Sequence, residues 1–367
     1  MKLRFAKNWK YLLVFFWCFS HPAGAISATL KTNEQIYQNP FDLSGGGASL
    51  TRATQEGVLF SNPSLSAFGA GFFRWIYMRT SFHAGADAAD FILKTAKQTR
   101  SGGIKVDAAL FDKALKTPIH AGNDIVAGFI TANGGFSVIE TARIDLEGRQ
   151  FGSQGLPEFR LKTQVVTGGM ASLAKSLTDF FSFGIAAKYL YVGEINEVIG
   201  LQEVAGGQGQ SIDISSKLKI GQGIGIDAGS TFQVRARNFD LRLAGVVQDV
   251  LGTRFKGKIA TWKQTINAGI GITTHTRSDA IHCAADLRDI TAAYGEHWTR
   301  RSYAGCKILF TNWIGLGAGL YQGWPTYGIV LNLILMRLEA GSYTREFGSQ
   351  VGTRGRRVYF VSMGFEI

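Results

Sequence analysis

The chain has 367 residues, of which 46% are hydrophobic and 12% aromatic, with 46 glycines and a formal net charge of +12 from 39 basic and 27 acidic side chains. The basic excess is scattered, and no block of about five or six like charges forms a nucleic-acid arm. Beyond the N-terminal leader no stretch keeps the ~20 uninterrupted apolar residues of a membrane helix; the nearest, Trp313 to Met336, is interrupted by Gln322, Pro325, Asn332 and several glycines.

Met1 to Ala25 carries Lys2, Arg4, Lys7 and Lys10, an apolar run from Tyr11 to Phe19, and the small-residue end Pro22-Ala23-Gly24-Ala25. These are the three regions of a secretory signal peptide, with cleavage expected after Ala25; the apolar run is too short for an anchor. Removing it leaves 35 basic and 27 acidic residues, a net of +8, which suits contact with the anionic headgroups of outer-membrane lipid and lipopolysaccharide. Cys18 leaves too, so that only Cys283 and Cys306 remain, too few for a disulfide scaffold.

Ile26 to Leu43 shows no clear period and is expected to be irregular. A glycine-rich turn, Gly45-Gly46-Gly47-Ala48-Ser49-Leu50, follows, then Gly57-Val58-Leu59-Phe60-Ser61-Asn62-Pro63-Ser64. Glycines and Asn-Pro favour turns over strand pairing, so Gly45 to Ser66 is expected to fill a lumen and not to form wall. Phe72 to Phe82 reads as a first strand, whereas Asp87–Thr99 and Asp107–Lys116 have helical spacing and read as an insertion.

From Gly135 the apolar residues alternate with period two. Strand-like runs fall at about 135–147, 158–169, 181–193, 219–232, 239–249, 264–275, 280–290, 303–310, 314–321, 325–333, 337–346 and 356–367. One or two more are expected before residue 135, and even strand numbers in bacterial barrels point to about fourteen. Counted back from the C-terminus, the links alternate between short turns and mostly longer loops, as in such barrels. The final strand sets Tyr359, Val361, Met363, Phe365 and Ile367 on one face and Phe360, Ser362, Gly364 and Glu366 on the other. The expectation is an all-β membrane protein: an antiparallel transmembrane β-barrel of about 14 strands in the outer membrane of a Gram-negative-type bacterium, with a signal peptide at 1–25, a plug at 26–66, a barrel at 67–367 and a helical insertion at about 87–117.

Alternation also assigns faces. With Leu241, Leu243 and Val247 toward lipid, Asp240, Arg242 and Gln248 point inward; with Cys283, Ala285 and Leu287 toward lipid, so do His282, Asp286 and Arg288. The plain account is a charge ladder that satisfies buried groups and stiffens the wall; the alternative is a substrate path. Folding the hairpin about Gly295 sets Cys283 and Cys306 nearly opposite on adjacent strands, one register step apart, and two free lipid-facing thiols are expected in preference to a bond.

The order of several segments carries a resemblance: the turn at Gly45–Gly47, Asn62-Pro63-Ser64, Gly223-Ile224-Gly225-Ile226-Asp227-Ala228-Gly229, Leu241 to Asp249, Gly319 to Gly328, and Tyr343-Thr344-Arg345-Glu346-Phe347-Gly348. Over roughly residues 44–367 the chain resembles the FadL family of hydrophobic-compound transporters and its PorV and TraF-like relatives. Ser64 stands where that family's Asn-Pro-Ala motif has its third residue, and Ile367 departs from the aromatic residue often found at this end. The resemblance implies a barrel passing a hydrophobic, long-chain fatty-acid-like molecule without covalent chemistry, with Gly46, Gly47, Asn62 and Pro63 as plug and ligand-contact candidates. Its PorV-like features imply instead a non-transporting barrel that docks an envelope or secretion protein.

Other chemistry finds little footing. Gly223 to Ala228 fits a loose dinucleotide fingerprint but opens no helix. Ser172-Leu173-Ala174-Lys175 spells a serine-lysine motif without its companions and reads as a short turn. The six histidines lack ligand spacing, so neither metal, cofactor nor catalytic residue is expected.

Overall fold

A computed structural model describes residues 34–52, 57–68, 73–86, 88, 115–149, 156–200, 217–275, 280–310, 313–348 and 350–366. The helical insertion expected at 87–117 falls almost entirely outside these residues, as do the leader and its cleavage site.

The strands are β1 (Phe73–Gly85), β2 (Ile119–Thr131), β3 (Gly134–Arg149), β4 (Glu158–Thr178), β5 (Phe181–Gly200), β6 (Lys219–Arg235), β7 (Phe239–Gln248), β8 (Arg254–Gly257), β9 (Thr265–His275), β10 (Ala280–Leu287), β11 (Ser302–Phe310), β12 (Ile314–Tyr321), β13 (Trp324–Asn332), β14 (Met336–Glu346) and β15 (Gly355–Glu366). Each pairs antiparallel with its sequence neighbour, apart from the detour at β8, and β1 pairs with β15 to close the ring. Along one edge of β6, β7 covers Ala228 to Arg235 and the four-residue β8 covers Gly221 to Ile224, so the wall is a closed barrel of 14 strands. Closure leaves no open edge, which is how a sheet can sit in a bilayer.

Alternation sets the two faces. In β6 the glycines at 221, 223, 225 and 229, with Asp227, Thr231 and Gln233, are buried inward, while Ile224 and Ile226 are exposed outward. In β15, Phe360 and Ser362 point inward and Tyr359, Val361, Met363 and Phe365 outward. No helix among the described residues is long and apolar enough to cross a membrane.

Three expectations are corrected. Ser172 to Lys175 is not a turn: β4 continues through it to Thr178, with Ser172 buried and Lys175 exposed on opposite faces. The loop expected after Asp249 contains β8, too short to show a period. Cys283 and Cys306 are directly opposed in the β10–β11 ladder, with Cα atoms 4.0 Å apart, and are joined by a disulfide on the outward face. The hairpin register contains no offset step, so nothing holds the two sulfurs apart.

Inside the ring runs the N-terminal segment. Asn39 caps helix α1 (Pro40–Ser44) by accepting from the Phe41 N–H, so the backbone expected to be irregular up to Leu43 holds one helical turn. Helix α2 (Gly57–Ser61) and a 3₁₀ turn (Pro63–Phe68) follow. All of these residues up to Ser66 that are described are buried except Ile36, which is half-buried.

Candidate functional site

The candidate site is the lumen together with the segment that occupies it. Long loops mark one end of the barrel and short turns the other, and the segment runs from one to the other. At the long-loop end, Glu34 accepts from Gln322 Nε2 at 2.8 Å and from Arg345 at 3.1 Å, with Arg143 at 3.6 Å. Burial alone would raise this carboxyl, but Arg345, then Arg143 and Arg300, outweigh it and hold its pKa at about 2. Gln38 donates to Tyr321 Oη at 2.7 Å. At the short-turn end, Ser176 donates to the Ala67 carbonyl and Arg235 to that of Phe68.

Between these ends the inward residues of the wall grip the segment's backbone. Asp286 accepts the N–H groups of Ser49 and Leu50; Arg288 donates to the Gly47 carbonyl at 2.6 Å and lies over the Tyr303 ring. Arg242 donates to the Thr51 carbonyl at 3.2 Å and Gln248 to that of Phe60 at 3.1 Å. Asp240 lies further toward the short-turn end, opposite Arg235 and Thr273 in the ladders. His282 contacts Thr273 at 2.9 Å.

The plug candidates sit where the wall is thinnest in side chains. Gly46 and Gly47 have φ of +88° and +76°, conformations that suit glycine, and a Cβ on Gly46 would run into the Ala304 carbonyl. Gly305 and Gly319 of the wall in turn leave room for this backbone. Asn62 donates to the Leu50 carbonyl and to Thr231 Oγ1, both at 2.9 Å, and accepts from Ser64 N–H and Oγ; Ser182 donates to the Ser64 carbonyl. Asn62 and Pro63 pack on Gly229, and the Pro63–Ser64 backbone on Gly184. Apolar packing divides in two. Val58, Leu59, Phe60 and Leu65 join Tyr77, Val126, Ile139 and Met170; Leu43 and Ala48 meet Tyr303, Tyr321, Tyr343 and Phe360.

One part of this packing is poorly satisfied. Asp42 is buried, its oxygens find no hydrogen-bond partner among the described residues, and Arg52 lies 3.5 Å away. Lys307 Nζ sits 3.0 Å from the Phe41 ring centroid, likewise without a hydrogen bond among the described residues. A buried polar group left without a hydrogen bond costs about 1–3 kcal/mol.

Sequence reasoning missed Glu34, Gln322, Arg345, Thr231, Ser182 and the buried trio Lys188, Asp227 and Asp249, in which Lys188 Nζ lies 2.7 and 2.8 Å from the two carboxylates. A signal existed for Lys188, a lone cation on the face that also carries Ser182, Gly184 and Ala186. No group of three or more His, Cys, Asp and Glu side chains able to hold a metal occurs among the described residues.

No protein-family model matches the sequence, and no characterised protein matches it. Among solved structures, the deltaS2S3 mutant of the TodX monoaromatic hydrocarbon channel aligns over 91% of this chain and 99% of its own, with TM-score 0.52 and 9% identity. The Ralstonia pickettii toluene transporter TbuX aligns over 89% and 99% with TM-score 0.47 and 9% identity, and a Pseudomonas aeruginosa FadL homologue over 88% and 98% with TM-score 0.32 and 10% identity. At such identities the likeness concerns fold alone, and the first of the three carries it. This chain is a closed barrel of 14 antiparallel strands whose fold is like that of the TodX channel mutant, consistent with an outer-membrane location.

Proposed function

We propose that the barrel passes a hydrophobic small molecule, long-chain fatty-acid-like in class, across the outer membrane, with residues 34–68 as a displaceable plug and the leader removed after Ala25. No covalent step or cofactor is involved. The observation that carries the reading is how the segment is held. It threads the lumen from one end to the other, its middle is held by wall side chains on backbone groups, and it is seated over the poorly satisfied Asp42–Lys307 cluster. A packed element that retains an electrostatic penalty is closer in energy to a displaced state than one without it. Gly46, Gly47, Asn62 and Pro63 then act as the plug's hinge and seat, and Asp240, Arg242, Gln248, Asp286 and Arg288 as the wall that receives it.

The test is uptake of a hydrophobic fluorescent probe, and single-channel conductance, in liposomes holding the wild type or a variant lacking Gly45 to Ser66. Altered uptake with intact heat-modifiable migration on gels supports a gate. Unchanged uptake and conductance in a correctly folded variant transfers the role to the loops. One observation favours that second reading, a barrel that docks an envelope or secretion protein: ion pairs and hydrogen bonds hold both ends of the segment.

A further inference from the structure

The outer surface carries a feature that passage through the lumen does not use. At β8 the wall departs from the apolar pattern. Ladder registers place its side chains in rows that continue across the outer face: Tyr189, Ile224 and Arg254 form one, and Tyr191, Gln222 and Lys256 the next. The Lys258 N–H bonds to the Ile220 carbonyl, which extends the series to a third row with Gly193 and Ile220. Directly paired residues share a face, so Arg254 and Lys256 point outward with Ile224, which is 68% exposed. Phe255, of opposite parity, packs inward on Trp262.

The height of these rows is fixed by the aromatics. Tyr189 and Tyr191 are exposed, and below them on β5 the outward positions are Ala187, Ile185 and Phe183. Tyrosines above an aliphatic band mark the interface girdle of a transmembrane barrel, the level of lipid headgroups. Three exposed cations therefore stand at headgroup height on the long-loop side, the side that faces outward in such barrels. None of the three has an ion pair or side-chain hydrogen bond among the described residues. Behind them, on the luminal side of the same rim, lies a recess of 330 Å³ lined by Lys219, Lys258, Asn196 and Glu194. The Glu194 carboxylate accepts from Gln164, and Lys219 faces it across the ladder.

We propose that Arg254, Lys256 and Lys258, flanked by Tyr189 and Tyr191, form a binding surface for the phosphate groups of an outer-leaflet glycolipid. The charge at headgroup height is complementary to such phosphates, the guanidinium of Arg254 can engage a phosphate through two N–H groups, and the tyrosine rings and Ile224 offer an apolar flank for acyl chains.

The test uses the full barrel, delipidated in detergent, and native mass spectrometry with bis-phosphorylated lipid A, fully dephosphorylated lipid A or phosphatidylglycerol. The variants are Arg254→Gln/Lys256→Gln/Lys258→Gln and, as control, Lys175→Gln, which removes an exposed cation near the short-turn end. Each basic residue near an anionic surface is worth about fivefold in binding, so the triple variant should bind bis-phosphorylated lipid A at least about tenfold more weakly. The control should bind as the wild type, and dephosphorylated lipid A should not distinguish the variants. Equal binding of bis-phosphorylated lipid A by the triple variant and the wild type overturns the proposal. So does a wild type that holds phosphatidylglycerol as tightly as lipid A, because the surface would then be a general anion field.

Discussion

One carboxylate oxygen of Asp286, on the wall, accepts the backbone N–H groups of both Ser49 and Leu50, at 2.6 and 3.1 Å, and so fixes the middle of the luminal segment. Hydrogen bonds to a charged group are worth about 1.5–3 kcal/mol, and both converge here. Asp286→Ala should raise open-state conductance in planar bilayers while leaving barrel assembly intact. A conductance trace identical to wild type would show that this contact does not hold the segment.

The close approach at Gly46 yields a second expectation. Gly46→Val introduces a side chain at positive φ and against the Ala304 carbonyl, for a cost of about 1–3 kcal/mol. The segment cannot seat normally, so limited proteolysis of the folded barrel should cleave within residues 34–68 faster than in the wild type. Equal cleavage rates would contradict the packing.

Arg79 is buried beside Glu339 at 2.6 Å and Glu366 at 3.1 Å, at the seam where β1 meets β15 and β15 meets β14. Gly364 opposite it leaves space for the guanidinium. Arg79→Ala should destabilise the barrel by up to about 3 kcal/mol, since buried Glu339 would lose its nearest cation and keep only Arg337 at 3.8 Å. Urea titration followed by gel mobility reads this directly, and an Arg79→Ala/Glu339→Gln double variant should recover part of the loss.

The segment's seat should also depend on pH through Glu34. Its carboxyl is depressed from 4.5 to about 2 by Arg345 and Arg143, against the effect of burial. A depressed folded-state value means that stability is fully present above pH about 4.5 and is lost as pH falls through about 2, a difference of about 3 kcal/mol. Protease protection of the segment should therefore hold from neutral pH to about 5 and weaken below, and Glu34→Gln should remove that dependence. Protection that falls equally in both proteins would assign the effect elsewhere.

The disulfide makes a chemical prediction. Without reductant, Cys283 and Cys306 should resist a membrane-permeant maleimide, and with reductant both should react. Cys283→Ser should cost about 3 kcal/mol or less, because the barrel ladder already limits the chain that the bond closes.

The barrel was legible because a wall with one apolar face repeats the period-two pattern in nearly every strand, and Tyr359 to Phe365 show it plainly. β8 was not, since in its four residues Phe255 is the one apolar side chain, and a single residue sets no period. The same alternation selected Arg242, Gln248, Asp286 and Arg288 as inward-facing but could not name what they hold. Their partners are backbone groups of Thr51, Phe60, Ser49, Leu50 and Gly47, and backbone atoms leave no imprint on residue identity. Glu34 was invisible for a related reason: its partners Arg143, Gln322 and Arg345 lie more than a hundred positions away. The cysteine pairing turned on a single register step, which the length of the loop between β10 and β11 does not specify.

The ring closes between β1, the first strand, and β15, the last, while the segment joined to β1 already threads the interior from the long-loop end to the short-turn end. A finished ring offers no gap through which a folded segment with two helical turns could be inserted. An order of biogenesis fits this threading: residues 34–68 settle against the strands while the sheet is still open, and the zipping of β15 onto β1 then encloses them. The sequence separation between β1 and β15 exceeds that of every other strand pair, which raises the loop-closure cost of the seam. In that order the Arg79 cluster across this seam is a clasp applied last, after the interior has been filled.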